Sequence, residues 1–128
     1  MDILVVGGGG REHAIIRKLK ESQYCGKLYC APGNGGISCD AQCFDVKADD
    51  IDGMVALAKE LKVDLVFVAP DDPLSAGMVD AMEKEGIAAF GPRANAAVIE
   101  GSKVFAKRLM KKYNIPTADY EVFDKPEE

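Results

Sequence analysis

Residues 5–15 read VVGGGGREHAI: four consecutive glycines between an apolar strand and a helical pattern, with Arg11 directly behind them. Such a turn can hold an anion, because main-chain N–H groups face the ligand and the helix start carries about half a positive charge. Glycine removes the Cβ that would keep a phosphate at a distance. Arg11 adds a planar fork of donors matched to phosphate oxygens. The expected chemistry is anion capture by Gly8, Gly9, Gly10 and Arg11, with a merely tight turn as the plain alternative. Glu12 either borders this site or complements the helix dipole.

The same residues narrow the choice of anion. Counting from Gly7 and Gly9, the dinucleotide fingerprint G-x-G-x-x-G needs glycine at position 12, where Glu12 stands. The acidic residue that would hold an adenosine ribose is missing, since the second strand runs into Ala31-Pro32. No G-x-x-x-x-G-K-[ST] occurs either. A monophosphate therefore fits better than a pyrophosphate. Asp71 adds a constraint: a carboxylate beside a phosphate is unfavourable unless it meets hydroxyls or an amine on the ligand. A sugar phosphate satisfies both. Asn34, inside PGNGG, reads equally as a turn residue and as a ligand contact. Asp72 reads as a helix N-cap with Pro73 at the first helical position. His13 is the only histidine and has no second metal ligand nearby, so it packs or caps. Lys103 and Lys107 read first as solvated surface.

Apolar periodicity supplies the elements that must position these residues. Strands are expected at 3–6, 28–31, 43–46, 64–69 and 87–90. Helices are expected from about Arg11, fading near Gly26, from Asp49 or Asp50 to Leu61, and from Asp72-Pro73 to Gly86. A short one covers about 94–100. The alternation predicts an α/β fold: a Rossmann-like, doubly wound, mostly parallel sheet, with the apolar fourth strand buried on both faces. In such sheets the loops after strands one and four lie side by side at the switch point. That brings 7–12 and 70–73 together, with 32–36 beside them. The sheet domain is expected to span 1–101. Residues 102–128 then open a further domain, with a helix capped by Ser102, carrying Phe105, Leu109 and Tyr113 on one stripe, and a strand in ADYEVF.

Composition sets the outer bounds. With 128 residues, 48% hydrophobic and 29% charged, the chain suits one soluble domain burying roughly 65–70% of its unfolded surface. No apolar run approaches the ~18 residues of a membrane helix. Met1-Asp2-Ile3-Leu4 has no basic leader character, so neither signal peptide nor membrane is expected. A net charge of −5 argues against nucleic acid as a partner. Cys25, Cys30, Cys39 and Cys43 read as reduced thiols packed as small hydrophobes, which points to the cytoplasm.

Taken together and in this order, GGGGREHA, APGN, FGP, EGSK and IPTA resemble the glycinamide ribonucleotide synthetase (phosphoribosylamine–glycine ligase) family of the ATP-grasp superfamily. The resemblance runs from Met1 to about Phe123. It implies that the chain corresponds to the N-terminal pre-ATP-grasp domain plus the first helix and strand of an ATP-grasp subdomain. The full-length reaction it implies uses ATP and Mg2+ (or Mn2+), mostly bound beyond residue 128. ATP phosphorylates glycine, and the amine of 5-phosphoribosylamine attacks the resulting glycyl phosphate to give glycinamide ribonucleotide, ADP and phosphate. Carried over, Gly8 to Arg11 would hold the 5-phosphate, Pro32, Gly33 and Asn34 would line the ribose side, and Lys103 would be an ATP-phosphate lysine. Glu12, Asp71 and Pro73 would complete the substrate site. Two departures stand out: the family often has Asn or Ser at position 8, and usually GPE where this chain has Ala69-Pro70-Asp71. The fragment alone is expected to be inactive. Competing readings are the N-domain of another ATP-grasp enzyme, a nicotinamide-dependent oxidoreductase domain, and a non-catalytic interaction module.

Overall fold

The computed structural model describes residues 1–123 and Lys125. Among these residues five strands form one sheet, β1 (Ile3–Gly7), β2 (Leu28–Pro32), β3 (Gln42–Cys43), β4 (Leu65–Val68) and β5 (Ala89–Phe90), in the order β3-β2-β1-β4-β5. Every pairing is parallel, with Ile3 of β1 opposite Leu28 on one side and Leu65 on the other. β1 is central and buried at every position, which is why its sequence is an unbroken apolar run. The doubly wound topology read from the sequence is the one observed.

Among the described residues six helices accompany the sheet: α1 (Gly10–Lys20), α2 (Ile51–Leu61), α3 (Asp71–Ser75), α4 (Met78–Lys84), α5 (Ala94–Gly101) and α6 (Lys103–Lys112). Alternate strand residues feed two cores. On one face Leu4, Val6, Val66 and Val68 pack with Met54, Leu57 and Ala58 of α2 and Met78, Val79 and Met82 of α4. On the other, Ile3, Val5, Leu28 and Cys30 pack with Ile16 of α1 and with Ile37 of a single 3-10 turn, Ile37–Cys39. Asp50, one of the two capping candidates, accepts the Gly53 N–H at 2.9 Å and starts α2.

Several expectations need correction. Asp72 is not an N-cap: Pro70 holds that position in extended backbone, and α3 begins at Asp71. Pro73 thereby sits third in the helix, where its missing N–H costs nothing because first-turn amides have no intrahelical acceptor. The helix expected to run on to Gly86 is broken in two by Gly77, whose φ of 91° is left-handed. β4 is buried on one face only; Leu65 and Phe67 are partly covered, and Phe67 stacks on exposed Phe90 with centroids 4.6 Å apart. β3 is two residues at 42–43 rather than a strand over 43–46, and β5 is shorter than 87–90. α1 stops at Lys20 rather than fading near Gly26, and fully buried Ile16 leads its apolar face. Residues 118–123, expected as a strand, have no ladder partner among the described residues and are not one. Ser102 does cap α6, accepting the Phe105 N–H at 3.3 Å, but no α6 residue is buried, and Phe105 and Tyr113 of its stripe are exposed.

Candidate functional site

The carboxyl ends of β1, β2 and β4 converge. At Gly7 the backbone turns to φ 121°, and a Cβ there would lie 3.0 Å from the Pro70 ring and 2.7 Å from Glu12 Cγ. Its carbonyl accepts the Gly33 N–H at 3.0 Å and the Cys30 thiol at 3.2 Å. At Gly8 an added Cβ would stand 2.6 Å from the Gly33 carbonyl oxygen. The glycine loop 7–12 thus touches both of the loops predicted to meet it, 32–36 through Gly33 and Asn34 and 70–73 through Pro70. The first two glycines of the run are demanded by that contact. Gly10 is not: nothing lies within 4 Å of where its Cβ would be. The open side of the loop is the Gly10 side.

Hydrogen bonds fix which donors remain there. Glu12 is buried, and its Oε2 accepts the Gly9 N–H at 2.6 Å while Oε1 accepts Arg11 Nε at 3.1 Å. Asn34 Nδ2 donates to the Gly8 carbonyl at 2.7 Å, and its Oδ1 accepts the N–H groups of Gly36 and Ile37 at 2.8 and 2.9 Å. The polar atoms of Glu12 and Asn34 are therefore already engaged, as is the Gly9 amide. The amides of Gly10, Arg11 and Glu12 open α1 and have no intrahelical acceptor. The Arg11 side chain is 62% exposed, and among the described residues only its Nε is hydrogen-bonded, to Glu12.

A second tie holds the neighbouring loop. His13 Nε2 lies 3.0 Å from Asp40 Oδ2, and Lys20 Nζ donates to Asp40 Oδ1 at 2.9 Å. These bonds, Lys20 first and then His13, hold the Asp40 carboxyl down at about 2. His13 thus packs and pairs across 27 residues of sequence. Burial, with Cys43 and Glu12 adding to it, pushes the Cys30 thiol up to about 12. Gly33 takes φ 72° over Cys43, whose Sγ would be 2.4 Å from an added Cβ.

The remaining predicted residues divide. Pro32 and Gly33 border the crevice, and Asp71 is exposed at the start of α3, next to the Pro70 that touches the glycine loop. Pro73 is buried and supports α3 from inside. Lys103, exposed at the start of α6, lines a separate cleft with Lys107 and Tyr120. Sequence reasoning did not single out the Cys30 thiol bonded to Gly7 or the Asp40 pair; both depend on neighbours distant in the chain. No three His, Cys, Asp or Glu side chains among the described residues converge as a metal ion would require. No helix among them is long and apolar enough to cross a membrane.

Residues 1–100 match the family described as phosphoribosylglycinamide synthetase, N domain. The chain belongs to this family. Among similar proteins, the phosphoribosylamine–glycine ligase of Caldanaerobacter subterraneus subsp. tengcongensis is 48% identical over 100% of the chain, which covers 31% of that protein. The ligase of Listeria innocua is 54% identical over 96% of the chain and 30% of its own length. This N-domain chain therefore spans about 30% of the curated relatives it matches. Solved structures share the fold. A glycinamide-RNase-transformylase T from Mycobacterium tuberculosis aligns with TM-score 0.71 and 16% identity, over 93% of this chain and 37% of that one. A Hydrogenobacter thermophilus biotin carboxylase domain, in complex with MgADP, ADP and bicarbonate, aligns with TM-score 0.70 and 20% identity, over 91% of this chain and 28% of that one. At these identities the likeness concerns architecture alone.

Proposed function

We propose that this N domain binds the ribose 5-phosphate end of 5-phosphoribosylamine within a longer phosphoribosylamine–glycine ligase. The observation that carries the reading is the open side of the glycine loop. There the amides of Gly10 and Arg11 and the free edge of the Arg11 guanidinium lie at the β1/β4 switch point of the sheet. A single phosphoryl group matches that donor set. Pro32 and Gly33 border the ribose side, and Asp71 accepts from sugar hydroxyls or the amine. The relatives' name, phosphoribosylamine–glycine ligase, supports the joining of glycine to phosphoribosylamine, and the ATP-driven route through a glycyl phosphate is what the sequence resemblance implies.

In that reaction the N domain binds and orients the amine substrate. Lys103 is assigned to an ATP phosphate, and Mg2+ to carboxylates beyond this chain. A boundary near residue 101 is supported by α6, which buries none of its residues. The isolated chain has no turnover on this account.

Calorimetric titration of the chain with ribose 5-phosphate tests the reading. Arg11→Ala should weaken binding by about 1.5–3 kcal/mol, the range for hydrogen bonds to charged groups. Equal affinity of the variant removes Arg11 from the site. Tighter binding of NAD than of ribose 5-phosphate overturns the substrate class.

A further inference from the structure

We infer that Glu12 and Asn34 are positioning residues that lock one peptide unit of the glycine loop from both ends, and that neither touches the ligand. The inference rests on the sugar-phosphate reading above and deepens it. The Gly8 carbonyl and the Gly9 N–H belong to a single planar trans peptide and point to opposite sides. Asn34 Nδ2 holds the first at 2.7 Å, and Glu12 Oε2 holds the second at 2.6 Å. A peptide flanked by glycines on both sides is otherwise free to rotate, since glycine populates both halves of φ space. Rotation would carry a carbonyl oxygen, a repulsive group, toward an approaching anion. With the unit locked, the next donors in line, Gly10 and Arg11, keep a fixed direction.

Both clamps are themselves anchored. Glu12 is 4% exposed, and its other oxygen holds Arg11 Nε, so the same carboxylate orients the guanidinium. Asn34 Oδ1 is fastened by the amides of Gly36 and Ile37. The β2 loop and the start of α1 are therefore tied through one peptide plane, 22 residues apart in sequence.

The test is amide hydrogen exchange and 15N chemical shift of Gly9 in the ligand-free chain, followed by titration with ribose 5-phosphate. Glu12→Ala should raise Gly9 exchange by about tenfold or more, as loss of a charged acceptor exposes the amide. Glu12→Gln should restore most of that protection, because its amide oxygen still accepts. Asn34→Asp keeps both acceptor bonds to Gly36 and Ile37 and replaces the donor to Gly8 with a carboxylate oxygen that repels that carbonyl. It should nonetheless raise Gly9 exchange and shift the Gly9 resonance, though Asn34 never touches that amide. Glu12→Ala should weaken ribose 5-phosphate binding by about tenfold or more, whereas for Asn34→Asp, whose new charge repels any anion, the deciding readout is Gly9 exchange in the ligand-free chain. If Glu12→Ala does not fold, Asn34→Asp decides alone. Unchanged Gly9 exchange in Asn34→Asp, with the unaltered chain still binding ribose 5-phosphate, overturns the positioning role and leaves the function reading standing. No binding by the unaltered chain overturns the function reading, and this inference with it.

Discussion

Gly33→Ala attacks the packing of the β2 loop beside the glycine loop, and two separate penalties can be worked out for it. At φ 72° the residue lies in the left-handed region, which costs an alanine roughly 1–2 kcal/mol. The new methyl would also sit 2.4 Å from Cys43 Sγ and 3.1 Å from Cys43 Cβ, an overpacking that costs about 1–3 kcal/mol. The sum, about 2–5 kcal/mol, is a large share of the roughly 5–15 kcal/mol that holds a domain folded. Urea unfolding followed by circular dichroism measures it. Cys43→Ala separates the two parts, since it deletes the sulfur and leaves the backbone strain. In a double-mutant cycle it should return about 1–2 kcal/mol of the loss. A Gly33→Ala variant within about 0.5 kcal/mol of the parent, or no coupling to Cys43, would refute the reasoning.

The thiols should react in an order set by burial and hydrogen bonding. Alkylation at neutral pH reaches exposed Cys39 first and Cys30 last, because Cys30 is buried, gives its S–H to the Gly7 carbonyl and has its pKa pushed up to about 12. Mass spectrometry of timed samples reads the order, and early modification of Cys30 in the folded chain contradicts it. Asp40 is held at about 2 against an ordinary 3.8, so its contribution to stability is complete above the ordinary value and disappears as pH falls through about 2. The stability gap between the parent and Asp40→Asn should therefore be present at about pH 5 and close toward pH 2 in acid-unfolding curves. A gap that widens on acidification has the wrong sign.

Much of the architecture was legible because parallel strands buried on both faces leave unbroken apolar runs, as at Ile3–Gly7, and because Asp50 and Ser102 announce helices by side-chain capping. The switch-point contact followed from strand order alone. What misled was local chemistry with two solutions. Asp72-Pro73 satisfies an N-cap pattern, yet proline is tolerated anywhere in the first turn, and the helix takes the earlier start at Asp71. ADYEVF has strand-forming residues, but a strand exists only with a partner, and no partner is present among the described residues. In the candidate site, the glycine run and Arg11 were the residues from which the proposed anion site could be read. The clamp on the Gly8–Gly9 peptide could not be read, since Asn34 acts on the Gly8 carbonyl of the other loop, 26 residues away, while Glu12 bonds Gly9 and Arg11 within its own turn. Gly8 shows the same limit: its lack of a Cβ is explained by the Gly33 carbonyl, a neighbour that only the folded chain supplies.

The account stands on the Gly10–Arg11 edge of the loop as the seat of one phosphoryl group. Titrating the 15N-labelled chain with ribose 5-phosphate tests that directly. The predicted result is a saturable shift of the Gly10, Arg11 and Glu12 amides, with Gly33 following and the amides around Lys103 unmoved. Shifts confined to another crevice, or none at millimolar ligand, would contradict it.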